Sequence, residues 1–353
     1  MSAKTGKPAA TRRPAGRADG AQEHEGGGRG VVLLFPGQGA QQPGMAVGLY
    51  RTDPRFAAYV DEVLAAWGAE GRAVRRDWLA ADPVVPLDDL RRAQPLLFAV
   101  DWALGRTVLD WGVRPAALLG HSVGELAAAV LAGVFDLADA AAVMADRIEH
   151  IGAAPPGGML AVAAAPAEVE PLLGPEVVVG AVNGPRQVVV AGAREPLAAA
   201  EARLRGAGFV CRAARTLSAF HSPVVAEASK QGLPLLRGLR LHKPRFPLYS
   251  GYTAEPLTAR QAVDPEFWAG QPAAPVYFAA ALDRVLAAGP ALLIEAGPGQ
   301  GLTMLAKRHR GVAAGQSTAV ALLPARPASG EVEADSVRAV RRMLETAGAG
   351  GRP

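Results

Sequence analysis

The stretch Ala116 to Glu125, A-A-L-L-G-H-S-V-G-E, decides the fold because it joins a strand, a sharp turn and the start of a helix. A short apolar run ends at Gly120, Ser122 occupies the turn, and a helix-prone segment runs from Glu125 to Ala132. The pattern G-x-S-x-G in this order is typical of a nucleophile elbow, whose helix points free N–H groups at charge forming near the serine. A Gly- and Ser-rich turn without chemistry has the same pattern, so this motif alone leaves both interpretations open.

The composition is that of a globular protein with a nearly neutral body. The chain has 353 residues, of which 50% are hydrophobic and 20% charged, enough for a large core and a smaller appended unit. Its net charge is +4, and the six Lys or Arg and three acids of residues 1–30 supply +3 of it. That tail has almost no large apolar residue and is predicted to be disordered. No basic helix or aromatic stripe supports nucleic-acid binding.

Cysteine content and hydropathy indicate the compartment. The single cysteine, Cys211, excludes an internal disulfide framework and a cysteine-based metal cluster, and it fits a reducing cytoplasm. The first residues lack the apolar region of a signal peptide, and no run reaches the roughly 18 apolar residues that a membrane span requires. We therefore expect a cytoplasmic protein that neither binds a metal nor crosses a membrane.

The first part of the chain has the pattern of a large α/β domain. V-V-L-L-F, residues 31–35, is predicted to be a buried strand that runs into the Gly-rich turn Pro36 to Gln41. Such a turn suits a backbone that approaches a ligand closely, although an ordinary strand-to-helix loop looks the same. Apolar spacing predicts helices over Pro54–Trp67, Asp89–Trp111 and Leu137–Ile151.

A different pattern begins near Gly158 and continues for about 55 residues. Its predicted order is β-α-β-β-α-β, which is a ferredoxin-like unit. We expect an α/β-hydrolase-like large subdomain over residues 31–157 and 215–326, an inserted ferredoxin-like small subdomain over 158–214, and a C-terminal extension over 327–353. The predicted elements of the insertion are Met159–Ala164, Pro166–Leu173, Val177–Val182, Gln187–Ala191, Glu195–Gly206 and Phe209–Ala213.

The remaining chain returns to the large subdomain, and its first loop carries His221. A lone histidine in a loop is most often structural, but His221 sits at a predicted domain junction, where catalytic residues concentrate. Arg147, on a helix, would ordinarily be a solvated surface residue. Later elements are predicted at Phe246–Ser250, Asp264–Gln271, Val276–Ala288, Leu292–Glu295, Leu302–Arg308 and Val332–Thr346.

Several motifs in one order make the sequence resemble the malonyl-CoA:acyl carrier protein transacylase family, which includes the acyltransferase domains of polyketide synthases. The resemblance runs from Val31 to about Pro324. The motifs are F-P-G-Q-G-A-Q (35–41), Q-P (94–95), G-H-S-V-G-E (120–125), Arg147 upstream of G-G-M (157–159), V-N-G-P (182–185), A-F-H-S (219–222), W-x-x-Q (268–271) with P-V (275–276), and E-x-G-P-G (295–299).

The resemblance implies a ping-pong acyl transfer with assigned roles. Ser122 would attack a thioester carbonyl while His221 takes its proton and later returns it to the departing thiol. A backbone carbonyl, matched by Gln271, would orient the imidazole in place of a triad acid. The backbone N–H groups of Val123 and Gln38 would hold the oxyanion.

The resemblance also implies which residues bind the acyl group. Arg147 matches the arginine that clamps the free carboxylate of a malonyl-type group, and Gln94 and His121 are further substrate-binding candidates. Phe220 is malonyl-like, because a bulky ring before the histidine fills the space that a 2-methyl group needs. Ser218 departs from the common malonyl-type H-A-F-H pattern, and Val123 is not the glutamine often found in methylmalonyl enzymes.

The expected partners are an acyl-CoA and an acyl carrier protein, whose phosphopantetheine thiol receives the group, so no resident cofactor is expected. No ketosynthase, carrier protein or reductase pattern flanks the motifs, which predicts a discrete, trans-acting, monomeric enzyme. It would serve either fatty acid synthesis or a polyketide or related assembly line, and residues 318–324 look closer to the polyketide branch. Arg and Lys that could meet an acidic carrier are scattered along the chain. Transfer of another acyl unit between carriers, an editing hydrolase and a non-catalytic docking module remain as alternatives.

Overall fold

The computed structural model describes residues 29–346. The tail predicted to be disordered, residues 1–30, lies outside these residues apart from its last two, and so does the end of the C-terminal extension, 347–353. None of the helices in the described part of the chain is both long enough and apolar enough to cross a membrane.

The first part of the large subdomain alternates buried strands with amphipathic helices. The first strand, β1 (Gly30–Phe35), is buried except for its first residue. Asp53 and Asp89 each cap the helix that follows, because their side chains accept hydrogen bonds from backbone N–H groups of its first turn. Helix α3 was not predicted, because its apolar residues are few. The elements are β1 (Gly30–Phe35), α1 (Val47–Thr52), α2 (Pro54–Ala66), α3 (Gly68–Leu79), α4 (Leu90–Asp110), β2 (Ala117–Gly120), α5 (Val123–Leu131) and α6 (Leu137–Gly152).

The next six elements form the small subdomain in the predicted order. Its four strands make one antiparallel sheet in the order β4-β5-β3-β6, and two helices accompany it. This topology is ferredoxin-like. The elements are β3 (Gly157–Val162), α7 (Pro166–Leu173), β4 (Val177–Gly184), β5 (Gln187–Ala193), α8 (Arg194–Gly206) and β6 (Cys211–Ala213).

The last part of the chain completes the large subdomain. A 3-10 turn over Pro223–Val225 follows His221, and a final helix packs on α1. The elements are α9 (Ala226–Gln231), α10 (Leu233–Gly238), β7 (Leu248–Ser250), β8 (Glu255–Pro256), α11 (Ala259–Ala262), α12 (Pro265–Gly270), α13 (Phe278–Ala287), β9 (Ala291–Glu295), α14 (Gly301–Lys307), α15 (Arg310–Ala313), β10 (Thr318–Ala321) and α16 (Gly330–Thr346).

The large sheet brings four loops to one edge. Its strand order is β10-β9-β1-β2-β7-β8, and every neighbouring pair is parallel except β7 with β8. In such a sheet ligands bind outside the carboxyl ends of the strands. The loops after β1, β2, β7 and β9 all leave from that edge.

The small sheet is joined to the large subdomain by backbone hydrogen bonds. Val276 pairs with two residues of β4. The Val276 N–H donates to the Gly180 carbonyl at 2.9 Å, and the Val182 N–H donates to the Val276 carbonyl at 2.8 Å. Because Val276 is used in this pairing, α13 begins two residues later than its apolar spacing predicts. The segment Pro275–Val276 therefore behaves as a short extra strand of the small sheet.

A buried acid lies beneath two of the edge loops. Asp101, on α4, is fully buried, and neither of its carboxyl oxygens has a hydrogen-bond partner within residues 29–346. A Cβ on Gly297 would lie 2.4 Å from Oδ1 of Asp101 and 2.3 Å from the ring of Pro36. The loops after β9 and β1 therefore close directly over the Asp101 carboxyl group. Burial, reinforced by the charge of Glu295, raises the pKa of Asp101 well above its usual range.

Replacing Asp101 with asparagine is expected to stabilise the protein increasingly as the pH rises above 4. Between the unfolded pKa of about 4 and the higher folded pKa, the folded state holds a proton that the unfolded state has lost, so stability falls by about 1.4 kcal/mol per pH unit. Asp101→Asn removes this loss. The measurement is the melting temperature of both proteins from pH 4 to 8, with exposed Asp82→Asn as control. Parallel curves for wild type and Asp101→Asn would contradict the assignment.

Candidate functional site

The turn after β2 holds Ser122 in a strained conformation. Its φ of 54° and ψ of −120° lie outside the regions that non-glycine residues prefer, as in a nucleophile elbow. Gly124, two residues on, lies so close to β1 that a Cβ would sit 2.2 Å from the Phe35 carbonyl oxygen. The strained turn is therefore fixed by direct backbone contact with the neighbouring strand.

The loop after β1 packs on the elbow. A Cβ on Gly37 would lie 2.4 Å from the His121 carbonyl oxygen and 3.1 Å from Cβ of Ser122, so only glycine fits there. The next residue is Gln38, whose side-chain carbonyl accepts from Gln94 at 2.9 Å. Val123 is the first residue of α5, where the backbone N–H has no partner within the helix. The two N–H groups predicted to hold an oxyanion thus belong to adjoining segments.

Gln41 holds this first loop in place. Its side chain is fully buried and its Oε1 accepts the Gly39 N–H at 2.6 Å. Its Nε2 donates to Asp88 at 3.0 Å and to the Arg215 carbonyl at 3.2 Å. One amide side chain therefore ties the loop to the segment before α4 and to the segment that leaves the small subdomain.

Ser122 and His221 are in direct contact, although they lie 99 residues apart. The serine hydroxyl donates to Nε2 of His221 at 2.8 Å, and Nδ1–H donates to the Ala274 carbonyl at 2.8 Å. These partners assign the neutral tautomer that can accept a proton at Nε2. His221 also has a positive φ of 60°. Burial, together with nearby His121, lowers the pKa of His221 to about 4, so the imidazole is neutral at physiological pH.

The prediction that Gln271 orients His221 needs correction. Nδ1–H donates to the carbonyl of Ala274, because the chain turns after α12 and brings a carbonyl three residues further on to the imidazole. The Gln271 carbonyl has a smaller effect, raising the pKa of His221 slightly. The Gln271 side chain instead donates to Glu125 at 3.1 Å.

Glu125 connects the elbow helix to two loops of the site. It is fully buried on the first turn of α5, where its Oε2 accepts the Gly251 N–H at 2.9 Å and its Oε1 accepts from Gln271. Burial raises the pKa of Glu125 to about 8, opposed by hydrogen bonds from Ser250 and Gly251 and by the charge of Arg147. Its two oxygens thus fix the loops that carry Tyr252 and the carbonyl partner of His221.

A cavity opens at Ser122. Three of the predicted substrate-binding residues, Gln94, Arg147 and Phe220, line it, and so does Tyr252. Its remaining lining is mostly apolar and comes from Leu90, Val123, Ile148, Ile151 and Pro272. The cavity therefore joins a nucleophile and a cation across a short apolar space.

Arg147 is positioned by the chain before Gln271. One N–H of its Nη2 donates to the Trp268 carbonyl at 2.7 Å. Burial lowers the pKa of Arg147, while Tyr252, Asp146 and Glu125 oppose that shift, and an arginine stays charged under these conditions. The rest of the guanidinium is available to a carboxylate in the cavity.

His121 does not line this first cavity. Its Nε2–H donates to Oδ1 of Asn183 at 2.8 Å, which links the elbow to the small subdomain, and burial lowers its pKa. It lines a second cavity, of about 530 Å³, that also reaches Ser122 and His221. That cavity shares Gln38, His121 and Arg215 with an open cleft of about 1670 Å³ between the subdomains. A path therefore leads from the surface to the serine.

Several site residues were not identified from the sequence. Glu125 stands in the quoted motif as a charged residue in an otherwise apolar helix, and that mismatch could have marked it. Tyr252 follows a buried strand at the ligand-binding edge, which is a weaker signal. Gln41 was quoted without a role. The contribution of Ala274 is a backbone carbonyl, so no sequence signal reveals it.

The family model of the acyl transferase domain matches residues 32–349, and the chain therefore belongs to that family. The resemblance drawn from the motifs is confirmed.

Individual relatives agree with this assignment. A phenolphthiocerol/phthiocerol polyketide synthase protein of Mycobacterium tuberculosis is 43% identical over 283 residues, which are 79% of this chain and 19% of that protein. The acyltransferase domain of SpnD in complex with 2-(pent-4-yn-1-yl)malonyl has a TM-score of 0.83 and 33% identity, covering 91% of this chain and 77% of that one. FabD from Acinetobacter baumannii has a TM-score of 0.77 and 25% identity, covering 90% and 99%. The chain spans about a fifth of the length of the mycobacterial synthase. The similarity to the two solved structures confirms the predicted fold class, a large α/β subdomain with a ferredoxin-like small subdomain.

The reactivity of Ser122 is expected to fall below pH 4 rather than below pH 6.5. The hydroxyl reacts when His221 is neutral, and burial lowers the pKa of His221 to about 4. The rate of labelling by a serine-directed fluorophosphonate should be nearly constant from pH 5 to 7 and drop about tenfold per unit below pH 4. Circular dichroism at each pH controls for unfolding. A midpoint near the usual histidine pKa of about 6.5 would contradict the assignment.

Proposed function

We propose that this protein transfers a malonyl-type group from CoA to the phosphopantetheine thiol of an acyl carrier protein through an acyl-Ser122 intermediate, in polyketide biosynthesis. The observation that carries the proposal is that Ser122, bonded to a neutral His221, shares one small cavity with Arg147. A cation opposite a nucleophile suits an acyl group with a free carboxylate. The polyketide synthase relatives support the biosynthetic context.

In the first half-reaction Ser122 attacks the thioester carbonyl while His221 takes the hydroxyl proton at Nε2. The Ala274 carbonyl stabilises the imidazolium that forms by accepting from Nδ1. The N–H groups of Val123 and Gln38 stabilise the negative carbonyl oxygen, and such donors are worth about 10²- to 10³-fold in rate. The carbon–sulfur bond then breaks, and His221 returns the proton to the CoA thiolate.

The second half-reaction runs in reverse with a new thiol. His221 takes the proton of the phosphopantetheine thiol, the thiolate attacks the Ser122 ester, and Ser122 leaves with that proton. These steps need only the nucleophile, the base and the backbone donors, so the proposed chemistry requires no cofactor bound to this protein.

The substrate class follows from Arg147 and Phe220. A planar guanidinium pairs well with a carboxylate, and burial strengthens the pairing. Phe220 is buried beside His221, and the centroids of the two rings lie 6.2 Å apart. Phe220 also lines the cavity that contains Ser122 and Arg147, which we call the acyl cavity. A 2-substituent would compete with its ring for space, which favours malonyl over methylmalonyl.

The intersubdomain cleft suits a negatively charged partner. The described residues that line it include four arginines and no carboxylate. CoA carries phosphates, and a carrier protein presents an acidic surface next to its phosphopantetheine, so this cleft supports access for both donor and acceptor. The arginines are Arg212, Arg215, Arg308 and Arg326.

Incubation with malonyl-CoA is expected to add one malonyl mass to the peptide that contains Ser122. Methylmalonyl-CoA and acetyl-CoA should label it more slowly, because the first is crowded by Phe220 and the second offers Arg147 no carboxylate. Intact-protein and peptide mass spectrometry measure the label, and Ser122→Ala should abolish it. Addition of a holo carrier protein should remove the label and produce malonyl-carrier.

Two results of that experiment would contradict the proposal. Rapid appearance of free malonate without a carrier protein would indicate an editing hydrolase. Labelling that survives in Ser122→Ala would show that another residue carries the acyl group.

Arg147→Ala is expected to lower malonyl transfer about 10- to 100-fold, the usual effect of losing hydrogen bonds to a charged group. Acetyl transfer should fall much less, so the ratio of malonyl to acetyl kcat/KM should drop. Arg147→Lys should recover only part of the loss, because a lysine lacks the planar fork. Exposed Arg114→Ala is the control. An unchanged ratio in Arg147→Ala would refute the carboxylate clamp.

A further inference from the structure

The turn after β7 places one aromatic residue in the acyl cavity without an assigned role. Tyr252 lines that cavity together with Ser122, Arg147 and Phe220. The centroids of the Tyr252 and His221 rings lie 6.1 Å apart, and the two ring planes are inclined by 46°. On the other side, the Phe220 centroid lies 6.2 Å from that of His221, with an interplanar angle of 43°. The catalytic imidazole is therefore in contact with both aromatic walls of the acyl cavity.

Hydrogen bonds from the backbone of Gly251 and Tyr252 hold this turn in place. The Tyr252 N–H donates to Oγ of Ser250 at 3.1 Å, and the preceding Gly251 N–H donates to buried Glu125 at 2.9 Å. Glu125 belongs to the same helix turn as Ser122, so the position of Tyr252 is set relative to the nucleophile. A rigid wall of this kind discriminates between substrates by shape.

Tyr252 shares one cavity with both ends of the proposed acyl site. These are Ser122, where the thioester carbonyl would react, and Arg147, where the distal carboxylate would bind. Burial, with the charge of Glu125, raises the pKa of Tyr252, which keeps the phenol protonated.

We propose that Tyr252 is a second specificity-determining residue, whose hydroxyl donates to the acyl carboxylate beside Arg147 and whose ring closes the space around C2. This inference rests on the proposed function, because it requires a malonyl-type group on Ser122. The hydroxyl and the ring have separate effects. The hydroxyl favours acyl groups with a carboxylate, and the ring disfavours those with a branch.

Two substitutions separate these effects. Tyr252→Phe keeps the ring, so the ratio of malonyl to acetyl kcat/KM should fall about 10-fold or more while the ratio of methylmalonyl to malonyl stays within about twofold. Tyr252→Ala removes the ring, so the methylmalonyl to malonyl ratio should rise about 10-fold or more. Acylation of Ser122 by each CoA ester is followed by mass spectrometry. The melting temperature reports folding, and Tyr277→Phe, at a side chain 41% exposed, is the matched control.

Each outcome bears on the inference. A Tyr252→Phe variant that loses malonyl and acetyl transfer equally would overturn the carboxylate contact, because the hydroxyl would then act on Ser122 alone. An unchanged methylmalonyl ratio in Tyr252→Ala would overturn the steric role. A wild type that prefers malonyl while both variants keep its ratios would refute this inference alone. A wild type that takes up no malonyl group would refute the proposed function and this inference together.

Discussion

The parallel pairing of β1 with β2 is the constraint on which the rest of the site depends. Phe35 is in register with Gly120, so the two strands end side by side and their loops leave at the same level. Gly37 and Gly124 allow those loops to touch, since any side chain at either position would collide with backbone atoms. This contact holds Ser122 in a strained turn and places the segments that carry Gln38 and Val123 side by side. Strain of this kind persists only where surrounding structure over-determines it, and here backbone contacts supply that restraint.

His221, the base in the proposed reaction, is held by contacts that involve the inserted subdomain. His221 arrives from the end of the insertion with a positive φ, its N–H donates to the Pro272 carbonyl at 2.7 Å, and Nδ1–H reaches Ala274. The same segment continues to Val276, which pairs with Gly180 of the small sheet. The small subdomain therefore does more than cover the cleft. Its edge strand fixes the loop that orients the imidazole, so the geometry of the base depends on how the two subdomains are joined.

The sequence predicted the features that local pattern controls. The strand and turn around Ser122, the order of the insertion and most helices follow from apolar spacing and glycine position, and the structure places them within a few residues of the predicted limits. Features built by tertiary contact were missed. Ala274 contributes only a carbonyl, and the arginines of the cleft are scattered between residues 212 and 326, so they form a cluster only after folding. Position 271 was assigned by motif alone, and its side chain supports Glu125 instead.

The charge pattern of the acyl cavity explains why a buried, neutral histidine suits this site. In the proposed reaction, a protonated His221 would attract the distal carboxylate of a malonyl-type group and could not accept the Ser122 proton, so it would misplace the substrate and could not act as the base. Burial lowers the pKa of His221 and His121, and burial raises that of Tyr252, so these three groups are neutral at physiological pH. Arg147 is then the only permanently charged side chain among the described residues that line the acyl cavity. In the proposed reaction, a single fixed cation would define where the carboxylate binds, and it would leave the thioester end to the neutral Ser122–His221 pair and the backbone amides.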